Sequence, residues 1–416
     1  MARFLFAWEL GGYLGHLACD APVAAQLRAR GHTVLFALND LGAGQRMLVP
    51  HGIGFIQAPV SKPQETPDLE SRNYGDLLRH VGFHESVTLR SMMAHWHNLM
   101  ALFEPDLIVA DHAPSALLAA RMANLPAAQL ATGFTLPPFE KPLPVIRPWL
   151  DERAGKRRED ERVFLTNINV LLREAGRPIL KALFELYDTE LPLILSFPEL
   201  DYFADRRAGV RHTGAVFELD QGDTAEWPAG GNGRRVFAYL RADTHLDFLL
   251  AGLRMSGASV IACIPGANAG VLARHAETRI RSVTQPLALR PVLRRAHAAV
   301  TPSGVGITSA CLSLGVPVVG IPVTAEAFYT ASSVTRLGAG MAVGLAIPDI
   351  AGRLATALDT VMHDREIATA VKAFHKKHAG YRVSNTVNAI ADALESVAVP
   401  RVKAMRSVEK PRRGAR

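Results

Sequence analysis

FLFAWELGGYLGHLACDAPVAAQLRARGHTVLF, residues 4–36, reads as a buried strand, a glycine-rich turn carrying His16, a helix and, after Arg30-Gly31-His32, a second strand. AHAAVTPSGVGITSACLSLGVPVVGIPV, residues 296–323, follows the same plan of strand, Gly-rich turn, helix, Gly315-Val316-Pro317 and strand. Strand, turn, helix and strand in succession is the building unit of a parallel α/β sheet. Two such units about 290 residues apart predict two nucleotide-binding-type α/β domains facing each other. The loops at their strand ends would wall one cleft.

The size agrees. A chain of 416 residues is too long for one ordinary core, and two domains is the default. Apolar residues make up 49% of it, ample for both cores. No apolar run reaches the ~18–20 residues of a membrane span. Glu9 and the glycines that follow it fit a first strand better than a signal peptide. Cys19, Cys263 and Cys311 fall in separate apolar segments with no metal-ligand spacing, and read as small core residues of a cytoplasmic protein. The formal charge is +7, but Arg401, Lys403, Arg406, Lys410, Arg412, Arg413 and Arg416, against Glu409 alone, place most of it in residues 400–416. The folded part is near neutral, so nucleic acid is not an expected partner. The tail reads as a solvated, disordered end, with weak contact to an anionic membrane surface as its other reading.

Short strands apolar on both faces are expected at 4–8, 33–38, 107–110, 127–130 and 193–196, as in a covered parallel sheet. Helical stretches are expected at 22–29, 77–102, 115–123 and 165–187, with a solvated charged run at 151–162. Residues 1–207 form the first domain on this reading, and the Gly-rich, polar stretch 208–235 the linker. A second series follows over 236–383. Its strands are at 236–240, 260–264, 280–284, 298–301, 318–321 and 341–343, and its helices at 245–255, 305–314, 327–337 and 352–363. A last helix, 384–398, precedes the basic tail 399–416.

His16 follows a first strand, within Gly11-Gly12-Tyr13-Leu14-Gly15. The spacing is not GxGxxG, because position 10 is leucine. An imidazole at a strand's carboxyl end faces the ligand crevice of an open sheet and suits a general base. The plainer reading is a turn histidine bonded to backbone. Asp111 also ends a strand of that sheet and can orient the imidazole as in a His–Asp dyad. Its plainer use is to cap the helix that follows. His112 reads as a surface or loop residue.

Gly15-His16-Leu17, Pro22, Leu27, Arg30-Gly31-His32 and Val34 resemble the opening of the UDP-glycosyltransferase superfamily. Val300-Thr301, Gly304, Gly306, Thr308, Leu312, Gly315-Val316-Pro317, Pro322 and Leu337-Gly338-Ala339-Gly340 resemble its nucleotide-sugar signature. Thr132-Gly133-Phe134, Pro137-Pro138, Pro142 and Arg147-Pro148-Trp149 resemble the acceptor-side loop of bacterial macrolide-type members. The resemblance spans nearly all of the chain except the tail. It implies the α/β GT-B fold of two facing Rossmann-like domains, the C-terminal helix packing back toward the first. It also implies inverting sugar transfer, with no metal or cofactor, from a UDP- or dTDP-linked donor to a hydroxyl of a small, mostly hydrophobic acceptor. Carried over by position, His16 is the base and Asp111 its support. Ser303, Gly304, Gly306, Thr308, Ser309, Glu326 and Arg241 would hold the donor, with Arg290 a further source of charge. Tyr13, Phe134 and Phe139 would meet the acceptor, among the aromatics that include Trp8 and Trp149.

The chain departs from the family at the donor side. Pro302 stands where a phosphate-contacting histidine is expected, Ala310 replaces a ribose-binding glutamate, and Glu326-Ala327 replaces an Asp-Gln pair. Either the donor site is rebuilt around the helix start near Val305, or donor binding is lost and the protein activates or scaffolds a partner enzyme. Oligomeric state, sugar and acceptor stay open at this level.

Overall fold

The structure is a computed structural model that describes residues 1–12, 14–60, 71–147, 154–206, 209–346 and 348–398. The first half holds strands β1 (Arg3–Trp8), β2 (Thr33–Leu38), β3 (Gly54–Gln57), β4 (Leu107–Asp111), β5 (Ala127–Ala131), β6 (Leu191–Ile194) and β7 (Arg211–His212). They form one parallel sheet in the order β3-β2-β1-β4-β5-β6-β7. Its helices are α1 (Gly15–Ala29), α2 (Leu41–Met47), α3 (Tyr74–His80), α4 (Ser86–Phe103), α5 (Pro114–Ala123) and α6 (Ala154–Glu174). The second half holds β8 (Arg235–Tyr239), β9 (Ser259–Cys263), β10 (Ile280–Val283), β11 (Ala298–Thr301), β12 (Val318–Gly320) and β13 (Gly340–Ala342), parallel in the order β10-β9-β8-β11-β12-β13. Around it lie α7 (Leu246–Met255), α8 (Ala269–Arg274), α9 (Leu289–Leu293), α10 (Val305–Ser313), α11 (Ala325–Arg336), α12 (Ile350–His363), α13 (Arg365–Lys377) and α14 (Val383–Val397).

Both sheets reverse strand order beside their first strand, between β1 and β4 and between β8 and β11. Ligands of open α/β sheets bind at such switch points, outside the carboxyl strand ends. Central strands β4, β5 and β9 are buried along their whole length, because helices cover both sheet faces. The three free cysteines are buried or half-buried, as expected of core residues.

Several elements differ from the sequence expectation. The first helix begins at Gly15, not near Pro22, so His16 lies in its first turn rather than in the glycine loop. Pro22 lacks an N–H and breaks helices in isolation. Here Leu17, Ala21, Val23, Ala24 and Leu27 are buried, and packing outweighs the lost hydrogen bond. The long helical stretch expected over 77–102 is two helices, broken where Gly82 takes φ +76°. The charged run at 151–162 is, from Ala154 onward, the first half of α6. Strands β3 and β7 and helices α2, α8, α9 and α13 were not expected, and β7 lies inside the stretch read as linker.

α14 crosses back to the first lobe, as the resemblance implies. Arg30 Nη1 meets Asp392 Oδ1 at 2.6 Å and Glu395 Oε2 at 2.8 Å, and His32 Nε2 meets Glu395 Oε1 at 2.7 Å. Beneath these pairs Val387, Ile390, Ala391 and Leu394 join the core that covers β1 and β2. The tail 399–416 lies outside the described residues.

Gly340 starts β13 where a Cβ would overlap the Val318 carbonyl oxygen of the neighbouring strand. Gly340→Ala should therefore cost about 2 kcal/mol, read as a lower urea midpoint at unchanged m-value.

Candidate active site

β1 and β4 pair in register with Trp8 beside Asp111, so the residues after Trp8 and the side chain of Asp111 share one sheet edge. α1 starts there and swings His16 over that edge. The His16 ring lies 5.4 Å from the Trp8 ring, nearly parallel. Gly11 (φ +86°) makes room for it, because a Cβ at that position would sit 2.5 Å from His16 Nε2. His16 Nδ1 lies 2.7 Å from Asp111 Oδ2, with both side chains buried. The carboxylate accepts, so Nδ1 carries the proton and Nε2 is the nitrogen turned outward. Across the cleft Glu326 Oε2 stands 4.0 Å from Nε2.

Asp111 is not the cap of α5. The N-cap of that helix is Ala113, which offers no side-chain bond. Glu9 does the capping instead. Its carboxylate accepts from Ser115 N at 3.0 Å, Ser115 Oγ at 2.8 Å and Ala116 N at 2.7 Å. Burial, opposed by those bonds, pushes Glu9 up to about 7. This leaves Asp111 to the imidazole.

The electrostatics centre on His16. Burial alone lowers an imidazole's affinity for a proton. The Asp111 charge and hydrogen bond, then Glu326 and Asp20, outweigh it and hold His16 at about 9. Asp20 lies one helical turn beyond His16, buried, with Oδ1 lacking a partner among the described residues. Burial and the Asp111 charge raise its carboxyl, against the pull of His16. His112 is not a surface residue. It takes φ +47°, its ring lies 6.3 Å from His16 and 5.9 Å from Phe134, and burial plus the His16 charge push it down to about 3.

In the second lobe the loop after β11 leads into α10. Gly304 is the N-cap, no side chain caps the helix, and the first backbone bond runs from Thr308 N to Gly304 O. The N–H groups before it face out of the helix end, where an anion is favoured. The hydroxyls behave otherwise. Ser303, at φ +63°, is buried with Oγ packed toward Gly320, and Thr308 and Ser309 are fully buried. None of the three hydroxyls is open to solvent with the lobes closed, and that of Ser303 packs toward Gly320 of its own lobe. Gly306 admits the connecting segment, since a Cβ there would lie 3.4 Å from Val216 O. Arg241 is half-buried on the neighbouring loop after β8, 3.8 Å from Asp243 Oδ2. Arg290 is committed elsewhere, with Nε at 2.7 Å and Nη2 at 2.8 Å from the Asp220 carboxylate.

α11 brings the lobes together. Thr324 caps it, Glu326 lies in its first turn, and Tyr329 donates to Val145 O at 3.0 Å. The Tyr329 ring lies 4.4 Å from Tyr202 and 5.9 Å from Phe134. Arg336 donates to the carbonyls of Asp201 and Tyr202 at 3.1 and 3.3 Å. The space left beside Phe134, Val305, Glu326 and Tyr329 is about 10 Å³, far below the ~300–1,000 Å³ of ligand pockets. The lobes are closed on each other. A wider hollow of about 590 Å³ lies between α6 and Lys141-Pro142 and shares no lining residue with the cleft.

Of the expected acceptor residues, Phe134 stands in this cluster. Phe139 does not: it is 38% exposed and stacks on Phe184 at 5.7 Å. Tyr13 and Trp149 lie outside the described residues. Glu9, Asp20 and His112 were missed as site residues. Asp20 was legible as the i+4 neighbour of His16 only once the helix is known to begin at Gly15. Among the described residues no cluster of His, Cys, Asp and Glu is arranged to hold a metal ion, and no helix is long and apolar enough to cross a membrane.

No family model matches the chain, and no curated protein does. Solved structures do. The calicheamicin glycosyltransferase CalG4 superposes with a TM-score of 0.70 at 18% identity, over 95% of this chain and 98% of that one. The glycosyltransferase VinC in complex with dTDP gives 0.66 at 17%, over 95% and 100%. The spinosyn rhamnosyltransferase SpnG complexed with spinosyn aglycone gives 0.62 at 18%, over 95% and 100%. The chain has the GT-B fold that its sequence resembles.

The buried pair sets a pH window for stability. An imidazole raised from about 6.5 in the unfolded chain to about 9 in the fold contributes in full below the lower value and stops contributing as pH rises through the upper. Asp111→Ala should lose about 3 kcal/mol at pH 6.5. The deficit against the wild type should shrink between pH 7 and 10 in chemical denaturation.

Proposed function

We propose that the chain is a cytosolic glycosyltransferase that moves a sugar from a nucleoside diphosphate to a hydroxyl of a small, largely apolar acceptor. The observation that carries this reading is the buried His16–Asp111 pair at a switch point, with Nε2 turned toward the opposite lobe. An alcohol is a poor nucleophile until its proton is taken. His16 Nε2 takes it as the acceptor oxygen attacks the anomeric carbon. Asp111 holds the tautomer and stabilises the imidazolium formed. The bond to the diphosphate breaks on the opposite face, so configuration inverts, and the bonding pair leaves with the phosphate oxygen. That charge would fall to the open N–H groups at the start of α10 and to Arg241. Glu326 would accept from the sugar hydroxyls, and Phe134 would face the acceptor. The similar structures, one in complex with dTDP and another with spinosyn aglycone, support a nucleoside-diphosphate-linked donor, UDP or dTDP, and a role in secondary metabolism.

A second reading has its own observation. Pro302 replaces the expected histidine, the three hydroxyls of the donor turn are buried, and the cleft is too tight for a nucleotide sugar as it stands. A homologue that has given up catalysis and activates a partner would look like this.

Two measurements separate them. Mass spectrometry of reactions with UDP- and dTDP-hexoses and a panel of apolar alcohols should show transfer, and His16→Ala should lower kcat about 10²–10⁴-fold. Thermal-shift titration with UDP and dTDP should raise Tm with nucleotide concentration. A flat titration with every nucleotide and no product would sink the transferase reading.

A further inference from the structure

The nitrogen that must receive the acceptor's proton faces a carboxylate. Nε2 of His16 faces the Glu326 carboxylate at 4.0 Å, and this contact crosses from one lobe to the other. The titratable groups around the ring come from both lobes, and Asp111, Glu326 and Asp20 favour its charged form. Asp111 at the end of β4 holds Nδ1, Asp20 and Cys19 follow on α1, neutral His112 lies on the loop after β4, and Glu326 comes from α11. Three carboxyl groups surround one imidazole, and a base at about 9 is an imidazolium at neutral pH. As closed, only a small fraction of the dyad is free to take a proton.

Of the three carboxyl groups, only Glu326 belongs to the second lobe. Its side chain is also the most accessible, at 26% exposure against 6% for Asp111. We propose that Glu326 is a positioning residue for the base: it strengthens the hold on the Nε2 proton of His16 across the closed cleft, and hydroxyls of a bound donor sugar loosen that hold by engaging the carboxylate. This rests on the transferase reading for its second half. When the lobes part to admit the donor, the imidazolium gives its Nε2 proton to solvent. The neutral ring then accepts the acceptor's hydroxyl proton as the new C–O bond forms and the bond to the diphosphate breaks. Without a donor the neutral fraction of the ring is about tenfold smaller at neutral pH, so less active base is presented to water.

The test is carried out on the full chain labelled with ¹³C-histidine, following imidazole Cε1–H signals across pH, with His16→Gln identifying the His16 signal. Removing an opposite charge about 4 Å away should lower the His16 midpoint by about one pH unit in Glu326→Gln. Glu326→Asp, which keeps the charge but withdraws it, should fall between that variant and the wild type. Adding UDP-glucose or dTDP-glucose to the wild type should lower the midpoint toward the Glu326→Gln value, and should move the variant little. A Glu326→Gln midpoint equal to or above the wild type's overturns the proposal. So does a wild-type midpoint that stays fixed while the nucleotide sugar visibly binds. If neither sugar nucleotide binds at all, the donor-release half falls with the transferase reading, and the free-protein comparison still decides the Glu326–His16 coupling.

Discussion

The short bond between His16 and Asp111 depends on a register. It needs β1 and β4 to run parallel with Trp8 beside Asp111, and α1 to start so soon after β1 that its first turn overhangs the sheet edge. Gly11 is the hinge of that arrangement, because a side chain there would collide with the imidazole. Glu9 contributes from the next position in the chain. By capping α5 it relieves Asp111 of the role its place in the sequence suggests. Two acids on neighbouring strand ends thus divide the work, one fixing a helix and one fixing the imidazole. A buried ion pair is costly to desolvate, and here it stands at a switch point of the sheet, where the proposed chemistry would use it.

Much of this was legible in the chain. The strand positions follow from short runs apolar on both faces, and nearly all fall within two residues of where they lie. His16 and Asp111 were both read as carboxyl-edge residues of one sheet, and the fold puts them 2.7 Å apart. What was not legible has specific causes. Pro22 argues locally for a helix start, and only burial of Leu17 and Val23 on the sheet overrules it. Once the helix was misplaced, the i+4 relation of Asp20 to His16 could not be seen. Strands β3 and β7 are four and two residues long and carry no alternation to mark them. His112 does lie on a loop, as read, but nothing in its neighbours announces Phe134, which arrives from beyond the end of the next strand and helps to keep the ring off the surface.

The donor side shows how type and placement part company. Ser303, Thr308 and Ser309 are the residue types a phosphate site calls for, yet their hydroxyls are buried. Ser303 sits in a left-handed conformation directly after Pro302, and its Oγ packs toward Gly320 instead of the cleft. The anion-binding capacity that remains belongs to backbone: the uncapped N–H groups at the start of α10, beside Gly304, which is exposed. Backbone donors need no particular side chain, so replacement of the expected histidine by proline leaves them in place.

Closure of the cleft and the charge on the base then share one element. Glu326 and Tyr329 are three residues apart on α11, hence neighbours on one face of the helix. Glu326 faces His16 while Tyr329 holds Val145 and packs on Tyr202. The helix cannot withdraw one without the other. Any motion wide enough to admit a nucleotide sugar must break the Tyr329 contacts and, in the same displacement, carry the carboxylate away from Nε2. On the proposed transferase reading, space for the donor and a base readier to accept a proton would therefore appear together, as two consequences of a single helix moving.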